Sequence, residues 1–504
     1  MCKRSTEVLS GDPLHKVFRR GALLLCILLL LGACKTGPDT ASNQPVEQSE
    51  ATAQSAVTNA DATSEKAPVS SGMVSNEPSV ATLQTLQQDI ARVESDFLSS
   101  WSLDLPEPQI PAPLTSAQRE ADFEALYAIL SEDYPFFGVE KRRTGVDWRT
   151  RKEEYVARVR ACADDEAFFE EIAAILDDLH NDHTKLCGWE EIESVLEHYS
   201  YYADLPSIRE EYLALNLPVV RDRYNVEGQQ PSADANGVWE DDPSQWVHNL
   251  FCQDLVAGRV GYIVVPEMLS ETEWGYDQQV LQEYLQTAID YPALVVDIRQ
   301  NPGGLMEYWL NFLAPTLADR SYRATNWLFF RGGAPSRRML HALEPSVTAI
   351  AELPQRLHML GNRAPIFAHR EDLKEFSWFY EDDQEVAPLQ DGPRFHGRLY
   401  LLVDDGVYSA AEAFASFAKQ SGFAQLIGRR TGGDGITMGM LYRVLPNSGL
   451  VFTYPNALGY SQDGKINEEE KTEPDVVTSD PIGWVLEREA SLQTWNDRKG
   501  EKDE

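Results

Sequence analysis

The sequence predicts an α/β fold: a layered core of strands alternating with helices, preceded by a helical domain. Three observations predict it. From Arg259 onward, apolar strand patterns alternate with helical ones. Between Thr115 and Val226, apolar residues recur at helical spacing. Two strand patterns also end abruptly in polar, glycine-bearing loops, at Asn301-Pro-Gly-Gly304 and at Asp404-Asp-Gly-Val-Tyr-Ser409.

The elements follow in chain order. Lys3, Arg4, Lys16, Arg19 and Arg20 form a basic leader, and the apolar stretch from Ala22 to Leu31 is too short to span a bilayer. It ends in Leu31-Gly-Ala-Cys34, a small residue before a cysteine, which resembles the bacterial lipobox. That resemblance implies a signal peptide over residues 1–33 and lipid acylation of Cys34. The expected location is therefore the bacterial cell envelope, with the folded part outside the cytoplasm. The residue after the cysteine is Lys35, not the aspartate of inner-membrane retention, so in a Gram-negative cell the outer membrane is expected. Such a chain is anchored to a membrane and does not span it.

Residues 34–82 are rich in Thr, Ser, Ala, Pro, Gln and Glu and carry no apolar period, so they read as a flexible tether. Residues 83–226 read as the helical N-terminal domain. Within it, Thr115 and Gln118 have the spacing of a capping box, with Phe123, Leu126, Tyr127 and Leu130 on one face. A second helix from about Asp164 carries Phe168, Ile172, Ile175, Leu176 and Leu179 and stops at His180-Asn-Asp-His-Thr184. Residues 227–245 read as an interdomain loop, 246–485 as the α/β core and 486–504 as a charged tail. In the core, strands are expected at Val260–Val265, Ala293–Asp297, Leu399–Val403 and Gln425–Gly428, and helices at Asp277–Ile289 and from Ser409. A hairpin is expected across Leu441–Thr453. The segment from about Phe312 to His396 shows no clear period.

The net charge of −36 argues against nucleic acid and against adsorption to anionic lipid. Of six cysteines, Cys162, Cys187 and Cys252 remain after the leader and Cys34 are set aside. They form no disulfide framework and no CxxC metal pair. One bridge is compatible with export, but buried, inert thiols are the plainer account. No metal, nucleotide or other cofactor is implied. Oligomeric state is not legible.

A glycine pair ending one strand, and a serine at the helix start after another, supply what acyl transfer needs: an amide pocket for an oxyanion and a nucleophile. Each feature also has a plainer reading. Ser409-Ala-Ala-Glu412 is itself a capping box, and taken alone the cap is preferred. Gly303-Gly304 would serve as a strand-ending turn, and Asp297 with Arg299 as an ion pair that fixes it. His183 would suit a helix C-terminus, and His180 is a rival base. Thr431-Gly-Gly-Asp-Gly435 is no phosphate loop, because no Gly-Lys-Ser/Thr follows.

Taken together, Asp297-Ile-Arg-Gln-Asn-Pro-Gly-Gly304, Val403-Asp-Asp-Gly-Val-Tyr-Ser-Ala-Ala-Glu412 and Ile427-Gly-Arg-Arg-Thr-Gly432 resemble the C-terminal processing (tail-specific) serine peptidases, a group that includes the tricorn core. Leu179-His-Asn-Asp-His-Thr184 resembles that family's Asp-Gly-His-Thr segment, and Phe123 to Trp148 its helical N-terminal domain. The resemblance implies a crotonase/ClpP-like core. One subgroup activates its serine with a lysine, but Gly433-Asp434-Gly435 stands at that place and aspartate cannot be such a base. The tricorn-like subgroup uses a histidine and a glutamate. This implies Ser409 as nucleophile, His183 as general base and Glu468 as the orienting acid, with Gly303 or Gly304 and Ala410 as the oxyanion hole. Where the tricorn core has a serine before its histidine, this chain has Asp182.

The expected activity is hydrolysis of peptide or protein substrates through an acyl-enzyme. A catalytically silent relative that holds a peptide or other ligand is the alternative. An esterase is less favoured, since Val407-Tyr-Ser-Ala-Ala411 is not a Gly-x-Ser-x-Gly elbow. No PDZ-like segment is evident between His183 and Arg259.

Overall fold

The computed structural model describes residues 113–503 apart from 204, 227–245, 343–346, 391 and 393. The leader, Cys34, the tether, the first part of the helical region and the loop at 227–245 lie outside the described residues.

Thr115 starts the first helix as its spacing predicts. Its hydroxyl accepts from Gln118 N, and the Gln118 side chain accepts from Thr115 N, on α1, Ser116–Asp133. Helices α2 (Phe137–Thr144) and α3 (Lys152–Ala161) follow. Asp164 caps α4, Asp165–Asp177, whose Phe168, Ile172, Ile175 and Leu176 are fully buried. The chain then turns through His180–Thr184 into a two-residue strand, β1 (Lys185–Leu186), and three helices: α5 (Trp189–Tyr202), α6 (Pro206–Leu215) and α7 (Pro218–Tyr224).

Strands and helices then alternate. They run β2 (Phe251–Val256), β3 (Val260–Val264), α8 (Gly275–Ala288) and β4 (Ala293–Asp297). A π-helical stretch, Tyr308–Leu313, runs into α9 (Ala314–Leu317). Next come β5 (Tyr322–Phe330), α10 (Ala334–Ala342), β6 (Thr348–Ala349), α11 (Leu353–Leu360) and β7 (Trp378–Val386). The chain then forms β8 (Arg398–Val403), α12 (Ser409–Ser421) and β9 (Gln425–Gly428). The hairpin β10 (Met440–Val444) and β11 (Val451–Pro455) precedes β12 (Leu458–Tyr460), α13 (Asn467–Glu470), β13 (Val476–Val477) and α14 (Pro481–Asp503).

The central sheet has six strands in the order β13-β9-β8-β4-β3-β2, all parallel except the β2–β3 pair. Both faces of its inner strands are covered, so β3 and β4 are buried along nearly their whole length rather than alternating, while the edge strand β2 is largely exposed. In β4, Leu294 and Val296 join one core with α8, α12 and the Tyr308–Leu317 segment. Ala293 and Val295 join the opposite core, where Val485 of α14 is buried. The boundary read at residue 485 therefore falls inside a helix. Glu489, further along it, accepts from Tyr400 Oη at 2.7 Å and pairs with Arg398.

The aperiodic segment holds a four-stranded sheet, β12-β5-β7-β6, built around nine-residue antiparallel partners β5 and β7. Its pattern was hidden for physical reasons. The end of β5, Trp327–Phe330, is buried on both faces, and β7 carries the run Glu381-Asp-Asp383. Those acids have partners: Glu381 meets Arg356, and Asp383 accepts from Thr325 Oγ1 at 2.6 Å. A three-stranded sheet, β1-β11-β10, ties the helical half to the hairpin. The helical half does not bury its apolar faces alone: one continuous core joins Phe123, Phe168 and Tyr199 to Phe329, Phe452 and Tyr460.

Cys162, Cys187 and Cys252 are free thiols. Burial raises the Cys187 thiol well above its ordinary pKa, as expected of an inert buried cysteine. Among the described residues no helix is long and apolar enough to cross a membrane.

Removing the Thr115 hydroxyl leaves an orphan helix-end donor. Thr115→Ala is expected to lower stability by about 1 kcal/mol, read as a reduced urea midpoint with unchanged slope.

Candidate active site

Parallel pairing of β4 with β8 puts their carboxyl ends side by side, Asp297 opposite Leu402. The two loops that leave those ends are joined by backbone: Tyr408 N donates to Asn301 O at 3.1 Å. The Asp404 carboxylate accepts from Gln300 N at 2.9 Å, Gln300 Nε2 at 2.8 Å and Gly406 N at 3.1 Å. Asp297 and Arg299 form the expected ion pair, 2.6 Å, which fixes the turn.

Ser409 begins α12 with φ 54, in the left-handed region that a side chain disfavours. It is not a cap. Tyr408 occupies the cap position, with no side-chain cap bond. Glu412 does not return to the helix start: its Oε1 accepts from Asn467 Nδ2 at 2.6 Å and Thr472 Oγ1 at 2.7 Å. The capping-box reading of Ser409 and Glu412 is thus corrected.

His183 arrives from the turn between α4 and β1. Its Nε2 lies 3.1 Å from Ser409 Oγ and its Nδ1 lies 2.7 Å from Asp434 Oδ2. His183 and Asp434 are buried, and Ser409 is half-buried. A carboxylate can only accept, so Nδ1 carries the proton in the neutral ring and Nε2 is free to accept from the serine.

Glu468 does not hold the imidazole. Its carboxylate meets Arg143 Nη2 at 3.0 Å. Burial, and then the charge of Asp434, push its pKa up to about 8. Asp434 takes the place that the sequence assigns to Glu468. The reason is local: Gly432 N donates to Val407 O at 2.7 Å and Ser409 N to Gly433 O at 3.3 Å, so the Thr431–Gly435 strip is laid along the serine turn. His180, the rival base, is half exposed and turned away, with Nδ1 3.0 Å from Glu140 Oε1. Asp182 is exposed.

The glycine pair divides its work. Gly303 has φ 110, and a Cβ there would lie 2.7 Å from Ser409 Cβ and 3.0 Å from Ala410 N, so only glycine fits against the serine. Its N–H is donated to Asn301 Oδ1 at 2.9 Å. The amides of Gly304 and Ala410 have no hydrogen-bond partner among the described residues. Ala410 also sits at the N-terminus of α12, where the dipole favours negative charge. No group of three His, Cys, Asp or Glu side chains among the described residues is placed to hold a metal.

Residues 259–478 match the description peptidase family S41. The matching segment is less than half of the chain. It contains the glycine pair, Ser409 and Asp434, while His183 comes from outside it. Solved structures with similarity to the chain include mature CPAF, with 12% identity over 72% of this chain and 92% of that one, TM-score 0.45. A lipoprotein from Streptococcus agalactiae has 12% identity over 76% and 99%, TM-score 0.40. The photosystem II D1 C-terminal processing protease has 16% identity over 73% and 94%, TM-score 0.36.

Several buried or half-buried carboxyls between residues 259 and 478 make stability depend on pH, Glu412 among them. Glu412 is fully buried, Oε2 has no partner among the described residues, and burial raises its pKa to about 7. The folded pKa lies above the unfolded one, so the full contribution is present below about pH 4.5 and is lost as pH rises to about 7. The loss amounts to about 3 kcal/mol for a shift from 4.5 to about 7. Glu412→Gln is expected to lessen the fall of the urea midpoint between these pH values without abolishing it, because Glu267, Glu307 and Glu468 are raised in the same sense; a fall as steep as in the wild type would refute the assignment.

Proposed function

We propose that the chain is an exported, lipid-anchored serine peptidase that cleaves peptide bonds through an acyl-enzyme. The hydrogen-bonded series Ser409–His183–Asp434, gathered beside the carboxyl ends of β4 and β8, carries the reading. The match of residues 259–478 to peptidase family S41 supports peptidase chemistry.

In this mechanism Ser409 Oγ attacks the substrate carbonyl carbon while His183 Nε2 takes its proton. Asp434 keeps the imidazole in the required tautomer and stabilises its cation. The carbonyl oxygen becomes an oxyanion that faces the Ala410 amide and the glycine pair, where Gly304 has the uncommitted N–H. Collapse expels the amine, which takes the proton from Nε2. Water then attacks the acyl ester by the same route and restores the serine.

The sequence of the leader supports the anchor: a basic start, a short apolar stretch and Leu31-Gly-Ala-Cys34. In this reading the segment that follows Cys34 holds the peptidase away from the bilayer, in the cell envelope and outside the cytoplasm. Cys34→Ala is expected to move the protein from the membrane fraction to the soluble fraction. Retention in the membrane fraction would refute a lipid anchor at Cys34.

A fluorophosphonate probe is expected to label the wild type and not Ser409→Ala. A wild type that stays unlabelled would favour a ligand-holding protein. Asp434→Asn is expected to cut kcat by roughly 10³- to 10⁴-fold, as loss of the tautomer-fixing carboxylate does elsewhere. Glu468→Gln should cost far less. The reverse order of the two would return Glu468 to the orienting role.

A further inference from the structure

Asp434 is held by more than the imidazole it faces. Three donors converge on its Oδ2: His183 Nδ1 at 2.7 Å, Asn181 Nδ2 at 2.7 Å and Tyr408 Oη at 3.2 Å. Its Oδ1 is buried with no partner among the described residues. A carboxylate with one bare buried oxygen keeps its orientation only through the bonds to the other.

Asn181 is itself oriented. Thr184 Oγ1 lies 2.7 Å from Asn181 Oδ1, and Thr184 N donates to Asn181 O at 2.8 Å. Asp434 can only accept, so the amide must turn its NH₂ toward Asp434 and its oxygen toward the threonine. The Thr184 hydroxyl therefore donates to that oxygen. Asn181, His183 and Thr184 share one turn, and all three are buried. One turn thus supplies the imidazole, the amide that holds its carboxylate and the hydroxyl that holds the amide.

We propose that Asn181, locked by Thr184, is a positioning residue for the peptidase reaction: it fixes the Asp434 carboxylate so that Oδ2 stays on His183 Nδ1. Tyr408 is the weaker second tie, with its ring 4.7 Å from the His183 ring. The inference rests on the Ser409–His183–Asp434 reading, and the test separates the two.

The experiment follows the His183 Nδ1–H proton by NMR of the ¹⁵N-histidine protein, assigned by its loss in His183→Gln, together with the fluorophosphonate labelling rate. The wild type is expected to show a strongly downfield, exchange-protected Nδ1–H. In Asn181→Ala this resonance should move upfield or broaden away. Labelling should slow by roughly 10- to 100-fold, the range set by one hydrogen bond to a charged group. Thr184→Val keeps the side-chain volume and removes only the hydroxyl. It should shift the resonance in the same direction and slow labelling less, and it carries the test if Asn181→Ala does not fold. An Nδ1–H resonance unchanged in the folded variants overturns the proposal. If the wild type is never labelled, the peptidase reading fails, while the resonance still decides whether Asn181 positions Asp434.

Discussion

The whole site depends on the parallel pairing of β4 with β8. Parallel neighbours end on the same edge of a sheet, so the loops that leave them must meet. Asn301 secures the meeting. Its Nδ2 donates to Val265 O at 2.9 Å, at the end of β3, and its Oδ1 accepts from Gly303 N. With Tyr408 N on Asn301 O, one fully buried side chain and its backbone join three strand ends. A buried asparagine left with unmet groups would cost about 1–3 kcal/mol for each. The loop geometry and the strand pairing are therefore stabilised together.

The imidazole comes from elsewhere, and its placement rests on a different pairing. Two residues after His183 the chain becomes β1, where Lys185 pairs with Thr453 and Leu186 with Phe452. Upstream, the buried face of α4 packs into the core that includes β11. His183 is thus held between a helix and a strand that share a core with the hairpin. In the proposed mechanism the helical half therefore takes part in the chemistry, although it lies outside the segment that matches family S41.

Much of this was legible in the residues. Thr115 and Gln118 announced a helix start, and the run Ala293–Asp297 announced a strand with its boundaries intact. Ser409, His183 and the glycine pair could be singled out because their residue types are few and their spacing is informative. The orienting acid was not legible. Asp434 sits 25 positions after Ser409 in the chain, as Gly433-Asp-Gly435, where the sequence shows an absent lysine base and an absent phosphate loop but no partner for an imidazole. Its signal was a lone charge between glycines, close in sequence to a serine turn. Motif order points to Glu468, but order along the chain does not say which carboxylate a distant arginine claims. Arg143, from α2, lies 325 residues upstream of that glutamate, and nothing in local sequence reveals the pair. The four-stranded sheet was missed for a similar reason: a strand buried on both faces, opposite one rich in acids, shows no period of two.

The composition around Asp434 follows from crowding. A Cβ at Gly435 would lie 2.4 Å from Ala413 N and 2.7 Å from Ser409 O, so this strip touches the backbone of α12 directly. Close approach requires glycine, yet chemistry requires one side chain in the middle. Asp434 meets both demands by taking φ 52, a conformation that aspartate tolerates better than branched residues do. Ser409 is held the same way at φ 54. Each costs on the order of 1 kcal/mol, and neither would persist unless the surrounding bonds over-determined it. Those bonds are present: Gly435 N and Ile436 N both donate to Asn467 Oδ1, at 2.7 and 3.2 Å, and Asn467 in turn donates to Glu412 of α12. Strain at the two reacting ends is thus offset by a buried polar network behind them. Glu412, which sequence spacing would spend on a helix cap, is the group that anchors that network.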